Sequence, residues 1–303
     1  MCIRDRHALL RSALPAGMVR IAHKVSAVTQ EADRVRVDFE NGHVAFADVV
    51  VGADGIHSAV RRSLFGDEAP RFTGNICWRG IIPAELLPPG QVLPASSNWM
   101  GPDGHVVTYY LRGGALVNFV AIRETEAWTG ESWTTPSSKD ELLRAFEGWN
   151  PRLLALFERA EGLYKWGLFD RDPLARWSVG RVTLIGDAAH PMLPFLAQGA
   201  AQALEDSYAL ADWLTRFPHA PVEALAAYEA ERKPRTSRIQ LGARERGRTA
   251  HLRSPWARLK RDLGFFWQNL TAPGKTSHRA EWIFQHDVTQ APRTLEARET
   301  ARA

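Results

Sequence analysis

Residues Leu184 to Asp206 read LIGDAAHPMLPFLAQGAAQALED: an apolar run, a Gly-Asp pair, small residues with two prolines, then a helix-like stretch. Val182 to Ile185 predicts a strand, and Gly186 lets the backbone turn where a ligand approaches closely. Asp187 then stands at the carboxyl end of a sheet strand, where open α/β folds bind ligands. A carboxylate there repels a phosphate but accepts a hydrogen bond from a sugar or polyol hydroxyl. Ala188 and Ala189 keep the surface low, and Pro191 and Pro194 stiffen a crossing, since each proline fixes its own φ and restrains its predecessor. Gly199 and Ala200 open the following helix. Their small side chains leave backbone N–H groups bare at the positive end of the macrodipole, which suits an anion. Alone, the Gly-Asp pair reads as a tight strand-to-helix crossover; strand, acid, stiffened crossing and open helix in that order read as the wrapping of a large cofactor.

A second stretch, GADGIHSAVR from Gly52 to Arg61, repeats the logic. The run Val49 to Val51 lacks polar alternation, as in a strand buried on both faces of a parallel sheet. Asp54 and Gly55 make the turn, and a helix follows over His57 to Phe65 with Gly66 as its stop. Asp54 has two readings, a helix cap or, paired with Asp187, the second jaw of a nucleotide site.

The 303 residues, 45% hydrophobic and 24% charged, can bury a substantial core and form two domains. The formal charge is +4 and the isoelectric point near 9.3, and the basic clusters at Arg232 to Arg235 and Arg258 to Arg261 are punctuated by acids and apolar residues. That pattern is read as a solvated basic face, with neither nucleic acid nor membrane as partner. Cys2 and Cys77 offer no disulfide framework and no clustered metal ligands, which fits a cytoplasmic setting. No apolar run is long enough to span a bilayer, and no signal-peptide core opens the chain.

Along the chain, α/β texture gives way to alternating strands with Gly/Pro turns and then returns. The expected organisation is an α/β block over residues 1–66, a β-rich block over 67–178, a return to the α/β block over 179–215, and a helical region over 216–303. The fold class expected is therefore α/β plus β, an incomplete Rossmann-like domain interrupted by a mostly antiparallel sheet. Two helical patches are expected over Lys139 to Ala160, broken at Asn150-Pro151.

The Asp-Gly and Gly-Asp elements, with CWRGIIP at Cys77 to Pro83, YYLRGGALVNFVA at Tyr109 to Ala121 and YEAERKPR at Tyr228 to Arg235, resemble the FAD-dependent aromatic-ring hydroxylases, above all the salicylate-hydroxylase-like branch. The resemblance implies FAD as cofactor, NADH or NADPH as electron donor, O2 as co-substrate, and hydroxylation of a small aromatic acid through a flavin C4a-hydroperoxide. It implies that Asp54 and Gly55 lie on the pyrophosphate side of FAD, and that Gly186 and Asp187 hold the ribityl chain. Pro191 is then beside the flavin ring, and Gly199 and Ala200 at its N1–C2 edge. His190 is carried as a candidate catalytic residue alongside Pro191, although a histidine in this string can equally shape the loop. Trp78, Arg79, Tyr109, Tyr110, Arg112 and Asn118 are the expected pocket wall, and strand alternation lets only some of them face inward. A homodimer is one assembly that the resemblance leaves open, and the sequence does not decide the oligomeric state.

The family opens with a G-x-G-x-x-G unit holding the FAD diphosphate. No G-x-G occurs in this sequence. The expectation is an N-terminally shortened chain, with Met1 to Arg6 not native, that purifies colourless and aggregates readily. Two other classes stay open: a flavin-dependent halogenase or other reductase on the same scaffold, disfavoured because WRGIIP lacks the second tryptophan of the halogenase string, and a non-catalytic shortened paralogue.

Overall fold

A computed structural model of the chain describes residues 3–126, 128, 135–272 and 278–291. In chain order it begins with α1 (Ile3–Ser12), β1 (Val25–Gln30), β2 (Val35–Phe39), β3 (Val44–Ala47), β4 (Val50–Gly52) and α2 (Ala59–Phe65). Then come β5 (Arg71–Pro83), β6 (Ser97–Gly101), β7 (Gly104–Leu111), β8 (Leu116–Glu124), β9 (Thr135–Pro136), α3 (Lys139–Ala145), α4 (Pro151–Glu158) and β10 (Glu161–Asp170). The last third holds β11 (Ser178–Val179), β12 (Val182–Leu184), α5 (Gly199–Arg216), α6 (Pro221–Ala250), α7 (Pro255–Thr271) and α8 (His278–Phe284).

Two compact units share these elements. Of the described residues, the α/β unit holds those within 21–71, 169–246, 268–272 and 278–291, and the β-rich unit those within 3–20, 72–126, 135–168 and 247–267, with residue 128. The β-rich unit takes 72–168 of the 67–178 expected for the β-rich block; Asp170 pairs with both Arg71 and Arg244, all three within the α/β unit. The helical region expected over 216–303 is divided between the units rather than forming a region of its own.

In the α/β unit a three-stranded sheet of order β11-β12-β4 carries the site. β12 and β4 run parallel with Leu184 opposite Gly52, so the Gly52–Asp54 and Gly186–Asp187 ends emerge side by side. Gly52 has a steric reason to lack a side chain: an added Cβ would lie 2.6 Å from Leu184 Cδ2 and 2.8 Å from Val60 Cβ. A second, antiparallel sheet β1-β2-β3 reverses at Asn41-Gly42, where Gly42 takes φ +82°. Val35, Val60, Trp177, Val182, Leu184, Ala209, Leu225 and Tyr228 lie in the core of this unit.

The β-rich unit is a six-stranded sheet of order β6-β7-β8-β5-β10-β9. Its register, with Trp78 opposite Ala121, Gly80 opposite Phe119 and Tyr110 opposite Val117, sends these residues to one face, where Leu142, Phe146, Leu153, Leu156 and Phe157 of α3 and α4 cover them. Each such fully buried side chain contributes roughly 1.5–3 kcal/mol. Asn150 caps α4 through Arg152 N–H, with Pro151 following, which is the break that the sequence predicts. Cys77 faces the other way, fully buried, and burial pushes its thiol pKa up against the opposing pull of Arg79.

Candidate functional site

At the carboxyl end of β12 the chain turns through Gly186 at φ +57° into a short 3₁₀ turn, and the N–H groups of Ala189 and His190 donate back to Gly186 O at 3.0 and 2.8 Å. This winds Asp187 outward and tucks Ala188 and His190 inward. Asp187 is exposed, yet stands in a recess with enough protein around it for desolvation to lift its carboxyl above the usual aspartate range, the His190 ring pulling the other way. Water still reaches it, so exposure and raised pKa are compatible. No described residue hydrogen-bonds its oxygens.

Across from Asp187 begins α5. A side chain at Gly199 would meet only Asp187 Oδ1 and Met192 Cγ, both 3.9 Å away, and no side chain caps the first turn of this 18-residue helix. Ala197, just before it, is held left-handed at φ +53°, turning the chain from the proline crossing into the helix. Pro191 is buried and its carbonyl accepts from Gln240 Nε2 at 2.8 Å, which anchors the crossing to α6.

Beneath the turn lies a charge network that sequence reading missed. His190 Nε2 is 2.6 Å from Asp206 Oδ2, which also accepts from Gly186 N–H at 3.1 Å, while Arg232 Nε donates to Asp206 Oδ1 at 2.9 Å. Arg232 continues to Glu205 at 2.6 Å and Gln202 Oε1 at 2.7 Å, and Arg235 grips Glu205 with two nitrogens at 2.9 and 3.1 Å. Burial works to raise the Asp206 pKa, but the His190 hydrogen bond and charge, then Arg232, hold it below its usual value. Glu205 is likewise held low against burial by Arg235 and Arg232. His190 is itself fully buried against Trp177, with its Nδ1 unsatisfied, and through Asp206 it braces the turn.

Asp54 shows the cap geometry. Its Oδ2 accepts from Ala59 N–H at 2.7 Å and Val60 N–H at 3.2 Å, and its Oδ1 from Ser58 Oγ at 2.5 Å; Ser58 Oγ in turn accepts from Arg61 N–H at 2.8 Å. Gly55, at φ +78°, faces open space. Arg61 reaches from α2 to Ala188 O at 3.4 Å and ties the two strand ends together.

The expected pocket wall divides by face in the β-rich unit. Trp78 is buried with its indole N–H donating to Ser137 Oγ at 3.0 Å, and Tyr110 packs at the helix-covered face with its hydroxyl donating to Val92 O. Strand parity puts them on the opposite side from Arg79 and Asn118. Arg112 lies in an exposed turn beyond β7 at φ +50°. Arg79 and Asn118 do share a face. Arg79 Nε donates to Asn118 Oδ1 at 3.1 Å, and the fully buried Asn118 has an unsatisfied Nδ2.

Parallel strands delivering a glycine-framed acid and an open helix terminus to one edge define a nucleotide-cofactor α/β fold. Residues 7–241 match the model of the FAD binding domain family. The chain is 45% identical over 248 residues to a 3-amino-4-hydroxybenzoate 2-monooxygenase of Streptomyces platensis, covering 82% of this chain and 62% of that protein. It is 36% identical over 295 residues to a 6-hydroxynicotinate 3-monooxygenase of Bordetella bronchiseptica, covering 95% of this chain and 69% of that one. A solved salicylate hydroxylase substrate complex matches with a TM-score of 0.82 at 31% identity, over 94% of this chain and 73% of the other. The chain belongs to the family of FAD-dependent aromatic hydroxylases. It spans 62% of the length of the Streptomyces relative. No helix among the described residues is long and apolar enough to cross a membrane.

Proposed function

We propose that the protein carrying this chain is a FAD-dependent monooxygenase that hydroxylates a small, salicylate-like aromatic acid, with NADH or NADPH as donor and O2 as co-substrate. One observation carries the reading: Asp187, an accessible carboxylate with no hydrogen bond from any described residue, faces the uncapped start of α5. An acceptor and a row of donors so placed fit a polyol chain on one side and an electron-rich ring edge on the other. Bound FAD would supply the oxygen-inserting chemistry, one atom of O2 entering a ring C–H bond and the other leaving as water. The chain's own residues bind and orient: Asp187 accepts from the ribityl hydroxyls, and Gly199 and Ala200 present N–H groups to the ring edge. Gly186 shapes the turn, and Pro191 stiffens the crossing. Asp54 and Gly55 keep the neighbouring strand end in place. Arg79, steadied by Asn118, is the group for a substrate carboxylate, since a guanidinium can take it in bidentate fashion.

The test supplies FAD and NADH or NADPH with salicylate, 3-hydroxybenzoate or 6-hydroxynicotinate, under labelled O2, and reads label in the aromatic product. Substrate-dependent incorporation is expected, with a raised KM for Arg79→Met. Flavin reduction that never places label in any ring defeats the proposal.

A further inference from the structure

Gln240 lies on the buried side of α6, and its one amide nitrogen donates to two carbonyls of the α/β unit that are 69 and 49 residues away along the chain: Arg171 O at 2.7 Å and Pro191 O at 2.8 Å. Its Oε1, also buried, accepts from no described residue. An unpaired buried acceptor is costly, so packing alone favours methionine or leucine here. What the amide adds is a pair of N–H groups on a single nitrogen.

Each carbonyl leads to one of the two strand ends. Arg171, just beyond β10, reaches with Nε and Nη2 to Ile56 O at 3.3 and 3.1 Å, directly after the Asp54-Gly55 turn. Pro191 opens the crossing that runs from the Asp187 turn to α5. The prolines at 191 and 194 have no N–H, and among the described residues the Gln240 bond is the one hydrogen bond that residues 191–194 make beyond the crossing itself. The two carbonyls depend on it unequally. Arg171 O also accepts from Arg244 Nη2 at 2.7 Å, whereas Pro191 O has Gln240 alone.

We infer that Gln240 is a positioning residue: it fixes the proline crossing relative to the Asp54–Ile56 turn, with Arg171 as the strut between them. That the two turns hold a cofactor rests on the proposed function; that Gln240 sets their spacing does not.

Hydrogen exchange of the whole 303-residue chain without FAD tests the spacing, and FAD titration tests its consequence. In Gln240→Met, similar in volume but without donors, exchange should rise in the peptide spanning 187–198, where the His190 and Ala197 N–H groups bond to Gly186 O and Pro194 O, and rise less over 54–60. The Leu184 N–H of β12, bonded to Trp177 O at 3.2 Å, should keep its rate. Gln240→Asn keeps the amide but falls one methylene short, so it should show the same pattern. Leu241→Ala, at an exposed neighbouring site, should show none of it. FAD affinity should fall about 2- to 10-fold in Gln240→Met, as the loss of one hydrogen bond implies, with altered visible circular dichroism of the flavin that binds. Exchange that rises evenly through β12 as well, or stays at the parent rate over 187–198, overturns the inference. So does FAD binding equal to the parent's in affinity and spectrum. A parent that takes up no FAD instead defeats the proposed function, and the exchange pattern alone then decides the inference.

Discussion

Two helices begin beside parallel strand ends in the α/β unit, and they begin differently. At α2 every means of closing the terminus is used: Asp54 takes the N–H groups of Ala59 and Val60, and Ser58 takes that of Arg61. At α5 none is, and the nearest acid, Asp187, faces the opening without hydrogen-bonding to it. A sealed terminus contributes stability; an open one forgoes about 1 kcal/mol of capping and keeps its donors for a ligand. On the proposed reading, the pair of acids separates a structural role from a binding role within one sheet edge.

The largest blow to that contrast should come from neither acid but from the brace beneath. Asp206→Ala leaves Arg232 and His190 without their buried partner, a loss of the kind that costs about 3–5 kcal/mol, and a large fall in melting temperature is expected. A melting temperature within a degree of the parent would show that the network is dispensable. Asp187→Ala should act on binding instead: a hydrogen bond to a charged group is worth roughly 1.5–3 kcal/mol, so FAD affinity should weaken about 10- to 150-fold in isothermal titration while the apo melting temperature does not fall. Equal affinity in parent and variant would reduce the segment to a crossover. Asp54→Ala sharpens the other side, with a predicted stability loss of about 1 kcal/mol from the cap in urea unfolding. No loss would mean that Ser58 closes α2 unaided.

The smallest effect is a pH dependence whose sign differs between Asp187 and the buried pair Asp206 and Glu205. Asp206 and Glu205 have lowered pKa values in the fold, so their stabilisation is present above the unfolded carboxylate range and disappears as pH falls through the folded values. Asp187 is raised, so its contribution is intact below the unfolded aspartate value and declines as pH rises through the folded one. The difference in melting temperature between Asp187→Asn and the parent should therefore start near zero in acid and grow towards neutrality. A difference that shrinks instead would place the carboxylate in a stabilising contact.

The sequence made the local string legible: Gly186, Asp187, Pro191 and Gly199 lie within fourteen residues, and Gly186, at φ +57°, has a backbone reason to be where it is. Asp54 was legible only as two alternatives, since a cap and a ligand contact ask for the same residue at the same turn. The Asp206–Arg232 pair was not legible, because its members lie on different helices 26 residues apart; the one local hint was an acid, Asp206, on the face of α5 that also buries Gln202, Ala209, Leu210 and Trp213. In the β-rich unit the strands were legible but their facing was not: alternation separates Trp78 from Arg79, yet which parity meets α3 and α4 depends on partners supplied from far along the chain.

Cys77 turns that last point to practical use. Its thiol sits fully buried on β5, one of the inner strands of the six-stranded sheet, and burial suppresses the thiolate as well as access to it. Alkylation must then wait for the sheet to open, so with Cys2 replaced by serine the labelling rate of the native chain becomes a clock for local unfolding of the β-rich unit. Read beside amide exchange in β12, that clock tells whether the two units breathe together or separately.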